Sequence, residues 1–276
     1  MQERHDIDLV GKIGSMALIR PDDHDIDYNT LSRICTELRP GMIWVTSGAT
    51  EIGRLDHLKR AGYELPEGEE SKADYAAQGQ AILMANYRQF LRPEYGLRQV
   101  LVEHQHFNDP EKREHIRRLL LRAAGQGAVP VVNYNDPVSD EENRKMELAH
   151  LRRRTDAEVH ECVDNDETAA VIAELVRART LVILTSTEGI YLDAKDPSTL
   201  VREVLADTPW ALQEKVRELQ THCHGASRAG ANGAYAKLAY ALGPAMQGTR
   251  VHIAHARHRL EDLLSGRVPH TVIGMG

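Results

Sequence analysis

Six short runs of apolar, largely β-branched residues punctuate the chain. They are DLVGKI (Asp8–Ile13), MIWVT (Met42–Thr46), RQVLVE (Arg98–Glu103), AVPVVN (Ala128–Asn133), TLVILT (Thr180–Thr185) and RVHIAH (Arg250–His255). Each is apolar on both faces, as expected of strands covered on both sides of a sheet. Between them lie stretches of helical period. The longest is Ala73–Arg92, and Glu111–Gly127 ends in a glycine-rich stop. Helices are also predicted over Thr168–Ala178 and Gly233–Leu242. Strand and helix in alternation predict the α/β class, a three-layer α/β/α sandwich with a mainly parallel central sheet. No repeat, linker or shift in composition divides the chain, so residues 1–276 are read as one domain.

In such sheets ligands lie beyond the carboxyl ends of the strands. Four polar clusters follow strands here. VGKIGS brings Gly11, Lys12, Gly14 and Ser15; VTSGATEIG brings Thr46, Ser47, Gly48 and Ala49; TSTEG begins with Thr185 and Ser186. In VVNYND the chain is expected to expose Asn133, Asn135 and Asp136 together. A further knot, Asp164, Asn165 and Asp166, precedes an apolar helix. Turn and N-cap chemistry accounts for any one of these taken alone. Their gathering on one edge of the sheet points instead to a site.

Composition narrows the class of ligand. The 276 residues are 42% hydrophobic and 27% charged, ordinary values for a globular protein. The net charge of −7 argues against nucleic acid as the main partner while leaving room for a local basic site. No apolar run reaches membrane-spanning length, and the charged opening MQERHDIDLV is no signal peptide, so a cytoplasmic protein is expected. Cys35, Cys162 and Cys223 are too scattered for a disulfide framework or a zinc pattern. The histidines of THCHG and HIAHARH lack a convincing set of metal ligands.

Glycines let backbone amides approach an anion, and a helix start adds a favourable dipole. TSGAT before a helical stretch fits that pattern, and GKIGS adds a lysine without the P-loop spacing. A second lysine, Lys237, stands near a helix start behind RAGANG. Taken alone, GKIGS is a weak phosphate signal and Lys237 reads as a solvated helix lysine.

Taken in order, LVGKIGS, IWVTSGATEIG, SKADYAAQGQ, GAVPVVNYNDPVS, DNDETAAVIAELV, LVILTSTEGIYLDAKDP and GANGAYAKL resemble the amino acid kinase family, and within it the glutamate 5-kinases. The resemblance runs along nearly the whole chain. It implies a kinase that uses ATP and Mg²⁺ to phosphorylate a small carboxylate, such as the γ-carboxylate of L-glutamate, in chemistry of the proline-pathway type. It also implies a small-molecule acid as partner and a homo-oligomer, dimer or tetramer. Many relatives carry a C-terminal RNA-binding-like module, which the sequence to Gly276 does not include.

By the same resemblance Ser47, Asp136 and Asn165 hold the acid, assisted by the backbone of Gly48 and Ala49. Lys12 and Lys237 flank the transferring phosphoryl group, and Asp166 holds both lysines. Gly14 and Ser15 line the phosphates. Thr185, Ser186, Gly230, Asn232 and Gly233 frame the nucleotide, and no protein side chain is assigned to the metal. A carboxylate substrate is already ionised at neutral pH, so the chemistry requires no general base.

The pattern is broken in places. Ser186 stands where the family carries Asp, Asn232 where it carries Gly, Ala236 where a hydroxyl precedes the lysine, and Val163 where a glycine precedes Asp164. An extended insertion at about 137–163, reading as a short helix with a basic run at Arg152–Arg154, separates the proposed substrate residues. It is either a solvated face, or a lid that reshapes the substrate pocket or contacts a neighbouring subunit. Two other readings therefore stay open: a same-fold kinase for another small acid, phosphate or phosphonate, and a catalytically silent nucleotide-binding homologue.

Overall fold

The computed structural model describes residues 5–20, 22–139, 141–155, 159–162, 164–223 and 233–276, the side chains of 141 and 142 excepted. Ten strands are described: β1 (Ile7–Ile13), β2 (Met42–Thr46), β3 (Gly96–Val102), β4 (Ala128–Tyr134), β5 (Ala178–Thr185), β6 (Ile190–Tyr191), β7 (Leu200–Val201), β8 (Glu203–Ala206), β9 (Arg250–His255) and β10 (Thr271–Met275). The described helices are α1 (Tyr28–Glu37), α2 (Ala49–Ala61), α3 (Glu69–Phe90), α4 (Gln105–Asn108), α5 (Pro110–Ala124), α6 (Glu141–Arg154), α7 (Asn165–Leu175), α8 (Pro209–Thr221), α9 (Gly233–Met246) and α10 (Leu260–Leu264).

Eight strands form one sheet in the order β3-β4-β2-β1-β5-β9-β10-β8, and β6 with β7 makes a separate two-stranded ribbon. Every pairing in the large sheet is parallel except β9 with β10. Two apolar cores lie on its two faces. Val10, Ile43, Val132 and Ile183 pack under α5, α7, α8 and α9. Leu9, Trp44, Val131 and Val182 pack under α1, α2, α3 and α10. Strands buried on both faces explain the absence of polar alternation along them.

All six expected strands are present, two with the expected bounds. The helix expected over Thr168–Ala178 begins three residues earlier and ends before Ala178, which opens β5. Asp164 caps its first turn, accepting from the backbone N–H of Asp166 at 2.9 Å. The helix expected to stop at Leu242 runs on through Pro244 to Met246. One expectation is overturned: Asn133 is not exposed but 1% accessible, because it faces α3 rather than solvent. The fragment THCHG is not strand-like at its start, since Thr221 closes α8, and its last two residues lie outside the described part.

Two helices approach each other unusually closely. A Cβ on Gly53 of α2 would lie 1.8 Å from the Tyr75 carbonyl oxygen, and one on Gly79 of α3 would lie 1.8 Å from that of Ala49. Only glycine permits this backbone-to-backbone packing, which fixes the start of α2 against α3. In β1, Gly11 leaves room for the ring of Trp44, whose nearest atom would stand 2.1 Å from an added Cβ. That glycine, first read as part of a phosphate loop, thus serves the core.

The segment after β4 forms a 3-10 turn, Asp136–Val138, followed by α6. Leu148 of α6 is buried, and Glu147 receives the imidazole of buried His104 at 2.8 Å. Arg152, Arg153 and Arg154 are exposed, and Arg152 pairs with Glu161. The return to α7 is tied down as well. Asn108 bonds both backbone groups of His160, and the Glu167 carboxylate accepts from the N–H groups of Glu161 and Cys162.

Candidate active site

Because β1, β2, β4 and β5 run parallel, their carboxyl ends share one edge, and the residues that follow them are brought together there. Lys12 is the penultimate residue of β1 and points to the α7 face. Its Nζ lies 2.5 Å from Asp166 Oδ1, and Lys237 Nζ from α9 lies 2.9 Å from Oδ2. Asp166 is 1% exposed and the Lys12 side chain 8%. Burial by itself would raise the Asp166 carboxyl, but the charges of Lys12 and Lys237 outweigh it and hold the group below its ordinary value. One anion thus holds two cations, and the trio carries one excess positive charge at the strand ends.

The short triplet at the start of α7 divides its labour. Asp164 caps the helix, Asp166 joins the lysines, and Asn165 between them reaches across to β2. Asn165 Nδ2 donates to Ser47 Oγ at 2.9 Å and to Asn133 Oδ1 at 3.2 Å. Its Oδ1 is buried and has no hydrogen-bond partner among the described residues. Burial raises Asp164 above its ordinary value, and the neighbouring Asp166 charge adds to the rise.

Around this centre the chain is shaped for close approach. Gly48 adopts φ +104°, a left-handed conformation that favours glycine, and caps α2 without any side-chain hydrogen bond. A Cβ on Gly14 would lie 3.6 Å from Lys12 Nζ, so glycine keeps the ammonium uncovered on that side. Ser15 opens a 3-10 turn beside Gly48. Ala49 begins α2 and is buried.

Asp136 is half-buried at the head of its 3-10 turn. Burial pushes its carboxyl up to about 6, with the Arg144 charge opposing the rise. No described hydrogen bond joins it to Ser47 or Asn165. Thr185 ends β5 with its carbonyl accepting from Ala256, and Ser186 is exposed next to it. Gly233 opens α9 with φ +60°, while Gly230 and Asn232 lie outside the described residues. Sequence reasoning missed Gln80, which is buried and bonded to Asn133 at 2.8 Å. A buried polar residue inside the SKADYAAQGQ helix was the available signal.

Comparison with known proteins agrees with this fold. The model of the amino acid kinase family matches residues 9–255. A glutamate 5-kinase of Symbiobacterium thermophilum is 31% identical over 216 residues, covering 75% of this chain and 72% of that protein. One from Cupriavidus pinatubonensis is 31% identical over 275 residues, covering 94% of this chain and 65% of that protein. The chain thus spans about two thirds of the length of these relatives. Among solved structures, carbamate kinase from Giardia lamblia bound to AMP-PNP superposes with a TM-score of 0.57 at 13% identity, over 97% of this chain and 98% of that one. UMP kinase from Ureaplasma parvum gives 0.54 at 10% identity, over 97% and 96%. At such identities the structures establish the fold alone. With a family match over residues 9–255 and a relative 31% identical over 72% of its length, the chain belongs to the amino acid kinase family.

Proposed function

We propose that this protein is an ATP-dependent kinase of a small carboxylate, with the γ-carboxylate of L-glutamate as the first candidate. The observation that carries the reading is the Lys12–Asp166–Lys237 bridge at the strand ends. Phosphoryl transfer to a carboxylate needs alignment and charge neutralisation, not proton removal. A carboxylate oxygen forms the new bond to the γ-phosphorus as the bond to the β,γ-bridging oxygen breaks. The electron pair leaves with ADP, and an acyl phosphate results.

In this reading Lys12 and Lys237 sit on either side of the moving phosphoryl group. Asp166 keeps both ammonium groups in place without neutralising the pair. Gly14 and Ser15 line the phosphates, and Thr185, Ser186, Gly230, Asn232 and Gly233 border the nucleotide. Ser47, Asn165 and Asp136 receive the acid with the backbone of Gly48 and Ala49. The excess positive charge fits a triphosphate, and ATP supplies the phosphoryl group when bound. Mg²⁺, when bound with the nucleotide, would add charge neutralisation at the phosphates beside Lys12 and Lys237.

The test is a substrate panel with ATP, Mg²⁺ and hydroxylamine, which converts an acyl phosphate to a stable hydroxamate. L-glutamate should give hydroxamate, and Lys237→Met should lower kcat about 10²-fold or more, the scale of one deleted electrostatic donor. No hydroxamate with any acid, or near wild-type turnover by Lys237→Met, overturns the reading. Transfer to a phosphate or phosphonate instead would keep the fold's kinase chemistry and remove the carboxylate acceptor.

A further inference from the structure

A line of buried amides runs away from the lysine centre. Gln80 on α3 is 7% exposed, and its Oε1 accepts from Asn133 Nδ2 at 2.8 Å. Asn133 on β4 is 1% exposed, and its Oδ1 accepts from Asn165 Nδ2 at 3.2 Å. Asn165 Nδ2 gives its other hydrogen to Ser47 Oγ at 2.9 Å. Side chains alone thereby join α3, β4, α7 and the turn after β2.

The polarity of this relay is set by the backbone. The N–H of Tyr134 donates to Asn133 Oδ1 at 2.9 Å, and an N–H has no capacity to accept. Asn133 Oδ1 is therefore the acceptor and Nδ2 the donor. Gln80 must turn its carbonyl toward Asn133, and Asn165 must turn its NH₂ toward it. Asn165 is left with a buried Oδ1 lacking a partner among the described residues. Ser47 Oγ already accepts, so its own hydrogen is free to donate. At the far end Gln80 Nε2 is likewise buried without a described partner. Unpaired buried polar atoms are rare in folded proteins and mark positions where a ligand or water belongs.

Resting on the carboxylate-kinase reading, we propose that Gln80 is a positioning residue that makes the site selective for acids bearing an ammonium group. By taking up Asn133 Nδ2 it reinforces the orientation that the Tyr134 N–H sets. Ser47 then meets the substrate as a donor, suited to a carboxylate, and Asn165 Oδ1 meets it as an acceptor, suited to an ammonium. Loss of Gln80 strands Asn133 Nδ2 and leaves the Tyr134 N–H as the one described backbone contact opposing a turn of the Asn133 amide, which Asn165 would follow.

Two variants separate this role from mere packing. Gln80→Met keeps the volume and removes the acceptor. Gln80→Glu keeps an acceptor oxygen toward Asn133, because a buried carboxyl carries its proton on the other oxygen. Calorimetric titration with L-glutamate, glutarate and ATP, together with hydroxamate kinetics, reads the effect. Gln80→Met should weaken glutamate binding about 10-fold, the scale of one hydrogen-bonded contact, and narrow the preference for glutamate over glutarate. ATP binding should stay within about twofold, and Gln80→Glu should recover most of the loss. A Gln80→Met protein that matches the wild type, or that weakens glutamate, glutarate and ATP alike, overturns the proposal while the wild type still forms hydroxamate. Gln80→Glu as impaired as Gln80→Met also overturns it. A wild-type protein that forms hydroxamate with no acid removes the carboxylate reading, and the relay's role with it.

Discussion

Asp136 carries a carboxyl pushed up to about 6 by burial, against the pull of Arg144. The sign of its effect on binding follows directly. Only the ionised form attracts an ammonium, and that form becomes dominant as pH rises through about 6. If Asp136 reads the substrate ammonium, kcat/KM for an amino-acid substrate should climb through that range, measured at saturating ATP. Asp136→Asn should abolish this limb and raise KM about 10- to 150-fold, the equivalent of roughly 1.5–3 kcal/mol for a charged hydrogen bond. Because the contact exists in ground and transition states alike, kcat should fall less than kcat/KM. Glu167, raised to about 7 by burial, titrates nearby but keeps its partners Glu161 and Cys162 in the variant. A limb that persists in Asp136→Asn would therefore assign it to Glu167 and leave Asp136 without a substrate role.

Helices α2 and α3 pack backbone to backbone beside the candidate site. Gly79 faces the Ala49 carbonyl so closely that an added Cβ would stand 1.8 Å from its oxygen and 2.4 Å from the Gly53 nitrogen. The colliding atoms are backbone, so rotamer changes cannot relieve the clash. Gly79→Ala should cost about 1–3 kcal/mol or more, as overpacking of a tight contact does. The melting temperature should fall by about 2–4 °C per kcal/mol for a chain of this size. Acid KM should rise with it, since Ala49 lies in the displaced turn, while ATP KM should hold. Gly62→Ala is the control for lost glycine flexibility, because nothing lies within 4 Å of its added Cβ and only its φ of +78° is strained. Equal effects of the two changes on acid KM would show that the helix contact does not govern the site.

Across the whole molecule, α6 is a strap from the end of β4 back to α7. It is docked through buried Leu148 and the His104–Glu147 pair, with Arg152, Arg153 and Arg154 exposed. Its bearing on the site is electrostatic, because Arg144 faces Asp136 and holds down the rise that burial causes. Replacing residues 140–160 with a short Gly-Ser bridge costs little in loop closure. The truncated protein should bind ATP as before. In Arg144→Met, which leaves the helix in place, the pH limb for the acid should move above about 6, and acid KM near neutral pH should increase. An unmoved limb and unchanged acid KM would reduce α6 to a solvated surface element.

Local pattern determined the strands, the parallel sheet and the edge on which ligands gather, because burial on both faces leaves an unbroken apolar run in the sequence itself. MIWVT and RVHIAH kept both their boundaries. The short β8 and β10 did not stand out, for their strand character depends on neighbours far along the chain: Thr271 pairs with Ile253, and Ile273 with Val204. In the site, residue types and order marked Lys12, Asp166 and Lys237 through their resemblance to a family, but not the 2.5 Å and 2.9 Å bridges that join them. Tertiary structure alone decided that Asn133 turns inward, that Gly11 serves Trp44, and that Gln80 enters the network. A sequence records which groups a residue can offer. Whether a polar group meets water, a helix or another amide is set by contacts between residues dozens of positions apart, such as the 53 that separate Gln80 from Asn133.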